Sequence, residues 1–154
     1  MVHPPEWQPL SPQAARQVAD RSVAGLSIVD YYGLPRTVLY RVLTPLGYWV
    51  YVTHQMLAHV RKKHHRTAAT MLDNLPHMLN NPDIVVPDYE LRTRHLYYKV
   101  YRGRLYAVAV PERDGVRYGA TMHRTEHIKG LGRGFISARD ILYLRGGFRW
   151  HRWK

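Results

Sequence analysis

HLYYKVYRGRLYAVAVPERDGVRYGATMH, residues 95–123, is the most informative stretch of this chain. It contains three runs rich in β-branched and aromatic residues, which predict strands at about 95–101, 104–110 and 116–123. The first two runs are joined by Arg102-Gly103 and the last two by Asp114-Gly115. An Asp-Gly pair between such runs is a strong signal for a tight hairpin. The stretch therefore predicts three strands of a small antiparallel sheet.

Alternation along these strands gives each of them one polar face, because successive side chains point to opposite sides of a sheet. On the first strand this face carries His95 and Lys99, and on the third it carries Arg117, Thr121 and His123. We expect a neighbouring strand to bring Lys99 or His95 within reach of the third strand. The sequence thus predicts a polar functional surface on the sheet.

The preceding sequence predicts helices and a further hairpin. Four prolines in residues 1–12 disfavour helix and indicate an extended arm, and a helix is expected from Ser11. A hairpin is expected at 38–52. Thr53 is the predicted N-cap of a helix over about 54–65. Shorter helical segments are expected at 68–74, near Pro76 and at 137–144.

These elements predict a single α+β domain over residues 13–154. Its N-terminal helices would pack on a small antiparallel sheet, with the hairpin as an extra N-terminal feature. A chain of 154 residues is long enough to bury one core without disulfides, and it has no cysteine. No run approaches the roughly 20 apolar residues of a membrane span, and no secretory signal starts the chain. We therefore expect a protein without a membrane partner that acts in its own cytoplasm or in that of a target cell.

The charge is strongly positive, with 23 Lys and Arg against 11 Asp and Glu, a net charge of +12. Tyrosines and tryptophans lie between the cations, as they do in surfaces that bind phosphates and stack bases. The expected partner is RNA. The predicted nucleic-acid-binding residues are Arg61, Lys62, Lys63, His65, Arg117, Arg124, Arg149, Trp150, Arg152 and Trp153.

A cluster of histidines marks the predicted helix at 54–65. His59 and Lys63 are one turn apart, and His64 and His65 follow them. The alternative role of such a cluster is metal binding, but the histidine spacings of five residues do not match the i, i+4 zinc pattern. No carboxylate occurs between residues 31 and 72. The sequence therefore predicts no metal and no cofactor.

The order of features over residues 51–124 resembles that of the barnase, EndoU, colicin and RelE-like nucleases, the BECR superfamily, and especially its phage-associated branch. The resemblance includes the histidine-bearing helix, the segment Leu79-Asn80-Asn81-Pro82-Asp83, then Tyr97-Tyr98-Lys99 and Ala120-Thr121. It covers about half the chain. It implies metal-independent RNA cleavage with His59, His64, Lys99 and Thr121 as site residues. The family has a His-Pro pair where this chain has His64-His65-Arg66, so either histidine matches the family position. A toxin-like nuclease would also have an inhibitory protein as partner.

RNA carries its own nucleophile, the ribose 2′-hydroxyl, so its cleavage requires a base, an acid and charge stabilisation. Histidine suits both proton-transfer roles, because its pKa lies near 6.5. His59 or His64 would be the base and His123 the acid, and the reverse assignment is equally consistent. Lys99 with Arg117 would stabilise the developing charge, and Thr121 would donate to a phosphate oxygen. The products would have 2′,3′-cyclic phosphate ends.

Two other interpretations stay open. The basic surface also fits an RNA- or DNA-binding module without catalysis, whereas a peripheral membrane protein is less consistent with the short histidine-rich helix. The tail at 148–154 is expected to contact nucleic acid. Tryptophans at a chain end can instead pack into the core and hold the terminus in place.

Overall fold

The computed structural model describes residues 17–154. The extended arm expected at 1–12 and most of the helix expected from Ser11 lie outside the described residues. Of that helix, Gln17 and Val18 are described, and both are helical.

The described chain forms ten strands and two complete α-helices. The strands are β1 (Ser27–Val29), β2 (Pro35–Leu43), β3 (Trp49–Thr53), β4 (Ile84–Asp88), β5 (Leu91–Tyr101), β6 (Arg104–Val110), β7 (Glu112–Arg113), β8 (Val116–Tyr118), β9 (Thr121–Thr125) and β10 (Tyr143–Leu144). The helices are α1 (His54–Lys63) and α2 (Ala68–Asn80). The first sheet has the order β1-β2-β3-β8-β7, and the second sheet has the order β10-β4-β5-β6-β9.

The expectation of an α+β fold, with N-terminal helices on a small antiparallel sheet, is wrong: strands dominate residues 17–154. The hairpin at 38–52 is confirmed as β2 and β3, but it forms the middle of a five-stranded sheet instead of an appendage. Strand β3 also pairs in parallel with β8, through Val50 with Arg117 and Tyr51 with Tyr118. Short strands such as β7 and β10 have too few residues to show a periodic pattern, so the sequence pattern underestimates the number of strands.

The strand expected at 116–123 is interrupted, because the chain changes sheets at Gly119-Ala120. The amide of Gly119 donates to Tyr51 O at 2.9 Å in the first sheet, and that of Ala120 donates to Ala109 O at 2.9 Å in the second. A Cβ on Gly119 would lie 2.5 Å from Met56 Sδ. Glycine is therefore required where the strand passes over α1.

Helix α1 follows the sequence closely. Thr53 is its N-cap, and its side chain accepts a hydrogen bond from Met56 N at 3.3 Å, as expected. Met56 and Val60 are buried, whereas the last turn carries Arg61, Lys62 and Lys63.

Helix α2 is longer than the sequence predicts. It continues through Pro76, and it stops where the proline at 82 predicts its end. Leu75, Pro76 and Leu79 are all buried, so apolar packing holds the helix together across the proline. The short helix expected at 137–144 is instead a 3₁₀ turn at Ala138–Asp140 followed by β10.

Two cores lie on opposite faces of the second sheet. In the first core both helices and the β2–β3 hairpin pack against residues such as Tyr97, Val108 and Met122. In the second core the C-terminal segment covers the other face through Ile128, Leu131, Ile136 and Phe148. Neither complete helix of residues 17–154 combines the length and apolar character needed to cross a bilayer.

Candidate active site

A cleft of about 790 Å³ opens where the two sheets diverge, between the second sheet, α1 and the loop that precedes β2. Its floor contains Ala107, Ala109 and Ala120. Across β5, β6 and β9, Leu96 pairs with Ala109, and Ala109 pairs with Thr121. The next row of paired residues on the same face consists of Tyr98, Ala107 and His123. Side chains of β5 and β9 therefore stand about 10 Å apart, with only methyl groups between them. Because their side chains are short, the alanines leave the space that forms the cleft.

Three of the five predicted catalytic residues line this cleft: His59, Thr121 and His123. Thr121 and His123 are alternate residues of β9 and share one face. His59 comes from α1, which packs against β9, and Gln55 lines the cleft one turn before it. The half-buried His59 and the solvent-accessible His123 thus face a common space from different elements.

Both histidines have lowered pKa values. For His59 the main cause is burial, followed by the positive charges of Lys63, Arg36 and His64. For His123 it is again burial within the cleft walls, followed by the charges of His64 and Lys63. Each effect disfavours a second positive charge. Both rings are therefore mostly neutral at pH 7 in the free protein.

His64 and the remaining cations of α1 surround the cleft without lining it. The backbone N–H of His64 ends the helix by donating to Val60 O at 2.8 Å, and its side chain is half-buried. His65, Arg61, Lys62 and Lys63 are exposed to solvent. His64 is therefore an electrostatic neighbour of His59 and His123 and does not line the cleft.

Lys99 does not approach Thr121 or His123, which corrects the expectation that a neighbouring strand would bring them together. Lys99 pairs with Tyr106, which pairs with Arg124, so its side chain lies on the opposite face of the second sheet. It is 3% exposed, and its Nζ donates to Asn81 O at 3.0 Å and contacts Asp83 Oδ1 at 3.4 Å. The face of β5 that we expected to be a polar functional surface is thus mainly buried, and its side chains have structural contacts.

His95 and Arg117 also belong to structural networks. His95 Nδ1 lies 2.7 Å from Tyr48 Oη, and burial, with the charge of Arg117, lowers the pKa of His95 to about 4. Arg117 pairs with Glu112 at 3.1 Å and stacks on the Tyr48 ring. Because the strand breaks at Gly119-Ala120, Arg117 does not project with Thr121 and His123 as expected. Arg124 is exposed on the face opposite His123.

The loop at residues 30–35 forms one wall of the cleft and was not predicted from the sequence. Asp30 is buried, and its Oδ1 accepts from Tyr32 N and Leu34 N at 2.9 Å each. Its Oδ2 accepts from Arg36 Nε at 3.0 Å. The segment Asp30 to Pro35 contains Asp, Gly and Pro at turn positions, a signal that could have identified it.

We expected Lys99 and Arg117 to be the cations that stabilise charge at the site. In the structure, Arg36 is the guanidinium in the position for that role. It lines the cleft, is anchored by Asp30 and stacks over the Tyr118 ring at 5.0 Å. Its Nη1 is buried and has no hydrogen-bond partner among the described residues. An unsatisfied buried donor costs about 1–3 kcal/mol, so this guanidinium keeps unused hydrogen-bonding capacity beside the cleft.

The opposite wall carries two further cations held by one carboxylate. Asp88 is 2% exposed and pairs with Arg94 at 2.7 Å and with Lys129 at 3.0 Å. Burial opposes ionisation of Asp88, but hydrogen bonds from Glu90 N, Lys129 and Arg94 outweigh it and lower the pKa. Lys129 N also donates to Tyr98 Oη at 3.0 Å. Lys129 also pairs with Glu90 at 3.1 Å, so ion pairs hold this wall in place and two carboxylates balance its two cations.

The tail lies against the second core and beside the segment that carries Lys129, where His127 Nδ1 lies 2.7 Å from Lys154 O. Trp150 and Trp153 are half-buried there in a 3₁₀ turn, which places residues three apart on one side. Trp153 O accepts from Ile128 N at 2.7 Å. Arg149 and Arg152 are exposed. The tryptophans predicted to bind nucleic acid are thus largely occupied in packing.

Among residues 17–154, no three His, Asp or Glu side chains converge in an arrangement that could hold a metal ion. No family model, curated protein sequence or solved structure matches this chain.

Proposed function

We propose that the protein is an endoribonuclease that cleaves RNA without a metal, at the cleft between the sheets. The observation that carries the proposal is the convergence of His59, His123, Thr121 and Arg36 on one cleft with an alanine floor. Two histidines from different elements, a hydroxyl and an anchored guanidinium are the groups that phosphodiester transfer within RNA needs.

In the proposed reaction one histidine takes the proton of the ribose 2′-hydroxyl, and the 2′-oxygen forms a bond to phosphorus. The bond from phosphorus to the 5′-oxygen breaks, and the other histidine gives its proton to that oxygen. Thr121 donates to a non-bridging phosphate oxygen, and Arg36 stabilises the added negative charge. The products have a 2′,3′-cyclic phosphate and a 5′-hydroxyl. Either of His59 and His123 fits either role.

Substrate binding would adjust the protonation of the pair. Lowered pKa values leave a neutral histidine ready to act as base in the free enzyme. A bound phosphate adds negative charge beside the rings and raises both pKa values, which favours the protonated acid. Arg94 and Lys129 on the opposite wall would bind an adjacent phosphate.

The proposed setting follows from this chemistry. The partner would be RNA in the protein's own cytoplasm or in that of a target cell, with an inhibitory protein as a second partner. The chemistry is that of the BECR nucleases, and a relationship to them is part of the proposal.

The test is incubation of end-labelled single-stranded RNA with the protein in excess EDTA, beside DNA of the same sequence. We expect RNA cleavage with cyclic phosphate ends and intact DNA. His59→Asn and His123→Asn should each reduce cleavage by about 100-fold or more. The matched control is His54→Asn, an exposed histidine of the same helix that does not line the cleft and should leave cleavage unchanged.

Loss of all cleavage in EDTA, with recovery on adding Mg²⁺ or Zn²⁺, would refute the mechanism. Intact RNA together with tight binding would instead support the alternative of a non-catalytic nucleic-acid-binding module. That alternative is consistent with the same charged cleft.

A further inference from the structure

Two exposed tyrosines stand at the mouth of the cleft. Tyr32 is 81% exposed and Tyr31 is 47% exposed, although both line the cleft beside His59 and Arg36. Their rings meet edge to face, at 89° with centroids 5.4 Å apart. Large aromatic rings left in solvent at a pocket are a feature of binding surfaces.

The backbone that carries these rings is held firmly. Tyr31 N donates to Tyr118 Oη at 2.6 Å, and Tyr32 N donates to the buried Asp30. Arg113 Nη1 donates to the carbonyls of Asp30 and Tyr31 at 3.2 Å each. An array of mostly half-buried hydrogen bonds thus supports a loop whose outer side chains have no comparable packing. Such a support makes the tyrosines available without an ordering cost on binding.

We propose that Tyr32, positioned by Tyr31, is a stacking platform for one nucleobase of single-stranded RNA. The proposal rests on the proposed function, because the platform lies beside the histidine pair and would hold a base next to the scissile phosphate. Every base has a flat π-face that an exposed ring can cover. Arg36 and Arg113 support the loop and favour a polyanion over a neutral ligand. Tyr31 contacts Tyr32 edge to face, and Tyr32 is the more exposed of the two rings.

The experiment measures the Kd of a labelled single-stranded RNA oligonucleotide whose riboses are all 2′-O-methylated, so that the proposed cleavage cannot occur. Tyr32→Ala should weaken binding by about 5- to 100-fold, the usual effect of losing one stacked base. Tyr32→Phe should bind within about twofold of the parent, because the ring is retained. The matched control is Leu34→Ala, which removes an exposed apolar side chain without an aromatic ring from the same loop and should have no effect.

A second measurement locates the base. The same oligonucleotide is prepared with one base removed at each position in turn. At one position, loss of the base should weaken binding to the parent protein and leave binding to Tyr32→Ala unchanged, since both changes remove the same contact. Thermal unfolding of each variant confirms that the loop change does not alter the fold.

Unchanged Kd for Tyr32→Ala would overturn the platform, and so would a Tyr32→Leu variant that binds as well as Tyr32→Phe. Failure of the proposed function can be distinguished from failure of the stacking platform. If the parent protein does not cleave unmodified RNA but Tyr32→Ala weakens binding, the platform stands and the nuclease proposal fails. If the parent cleaves RNA and Tyr32→Ala binds normally, the platform alone fails.

Discussion

At the scale of single residues, position in the sheet decides which polar side chains are available for chemistry. His123 and Lys99 both belong to the second sheet, yet one faces an open cleft and the other faces a core. The difference follows from alternation, because a shift of one residue along a strand exchanges the two faces. A histidine beside cations is a proton acceptor at neutral pH, whereas a buried lysine in an ion pair is structural.

The pH dependence of cleavage should reflect the lowered pKa values of His59 and His123. Activity rises with pH as the base loses its proton and falls as the acid loses its own. Both pKa values lie below the ordinary value of about 6.5, so the optimum of kcat/KM should lie below about pH 6.5. Lys63→Gln removes a positive charge that acts on both rings and should move the optimum to higher pH.

The measurement is kcat/KM for RNA cleavage between pH 4.5 and 8.5. Arg102→Gln removes the same charge at the β5–β6 turn and should leave the optimum unchanged. An optimum above pH 7, or one that Lys63→Gln does not move, contradicts this assignment of the two histidines.

Gly119 should be intolerant of even one added methyl group. In Gly119→Ala the Cβ would meet Met56 Sδ at 2.5 Å, and Met56 is fully buried. Forcing the side chain to move should lower the free energy of unfolding by about 1–3 kcal/mol. Urea denaturation measures this loss. Gly146→Ala, where a Cβ meets open space, is the control and should change stability by less than about 0.5 kcal/mol.

At the scale of secondary-structure elements, one buried carboxylate connects three segments. Asp83, just before β4, accepts from Val100 N of β5 at 2.8 Å and from Arg145 Nε, just after β10, at 2.7 Å. It also pairs with Lys99. A carboxylate that is 0% exposed is stable only with such partners.

Asp83→Asn should therefore lower the free energy of unfolding by about 3–5 kcal/mol, because the buried Lys99 and the half-buried Arg145 lose their counterion. Lys99→Met should cost less, since Arg145 still pairs with Asp83, and its folded fraction should retain RNA cleavage. Asp114→Asn, at a 92% exposed carboxylate, serves as the control. Stability is measured by urea denaturation and cleavage by the EDTA assay. Wild-type stability of Asp83→Asn would contradict the role of this ion cluster.

The sequence predicted those elements whose signals are local. Thr53 caps α1, and the alternation of Leu96 and Tyr98 against Tyr97 and Lys99 is observed on β5. These features depend on neighbouring residues alone. The sequence likewise identified His59 and His123, two of the three histidines that line the cleft, although their chemical roles stay a prediction; it did not identify the third, His127.

Features that depend on distant contacts escaped prediction. Met56 leaves no space for a side chain at Gly119, and the buried Lys99 pairs with Asp83, which lies 16 residues away in the chain. Arg36 was missed because its importance comes from Asp30 and Tyr118, which neither composition nor spacing reveals. Alternation predicts that two faces exist, but the packing of the whole molecule determines which face is open.

At the scale of the whole molecule, paired cations line the cleft, basic residues occupy the last turn of α1, and the C-terminal segment covers the second core. The net charge of +12 supports binding to a polyanion, and the cations of both cleft walls are held in place by buried carboxylates. The charge therefore bears on the affinity for RNA, and the packing of the C-terminal segment bears on the melting temperature.

Affinity for single-stranded RNA should fall steeply with salt, because each phosphate bound by Lys or Arg releases a counterion. With four or five such contacts the slope of log affinity against log salt should be about −3. Titrations from 50 to 300 mM NaCl measure it. Lys62→Gln with Lys63→Gln should reduce the slope, whereas Arg133→Gln, on the C-terminal segment, should not. A slope near zero would show that the charge does not form the binding surface.

Deletion of residues 148–154 should lower the melting temperature by about 8–16 °C. Phe148 is 8% exposed and lies in the second core, with Trp150 and Trp153 packed against it, and loss of one such aromatic side chain costs about 3–5 kcal/mol. The deletion also removes the acceptor of Ile128 N. The control replaces only the exposed cations, with Arg149→Gln and Arg152→Gln in one variant, and should keep the melting temperature. If the deletion leaves the melting temperature unchanged but weakens RNA binding, the tail is a contact surface and its packing is dispensable. If the double arginine variant alone weakens RNA binding, the cations contact RNA while the tryptophans hold the terminus to the core.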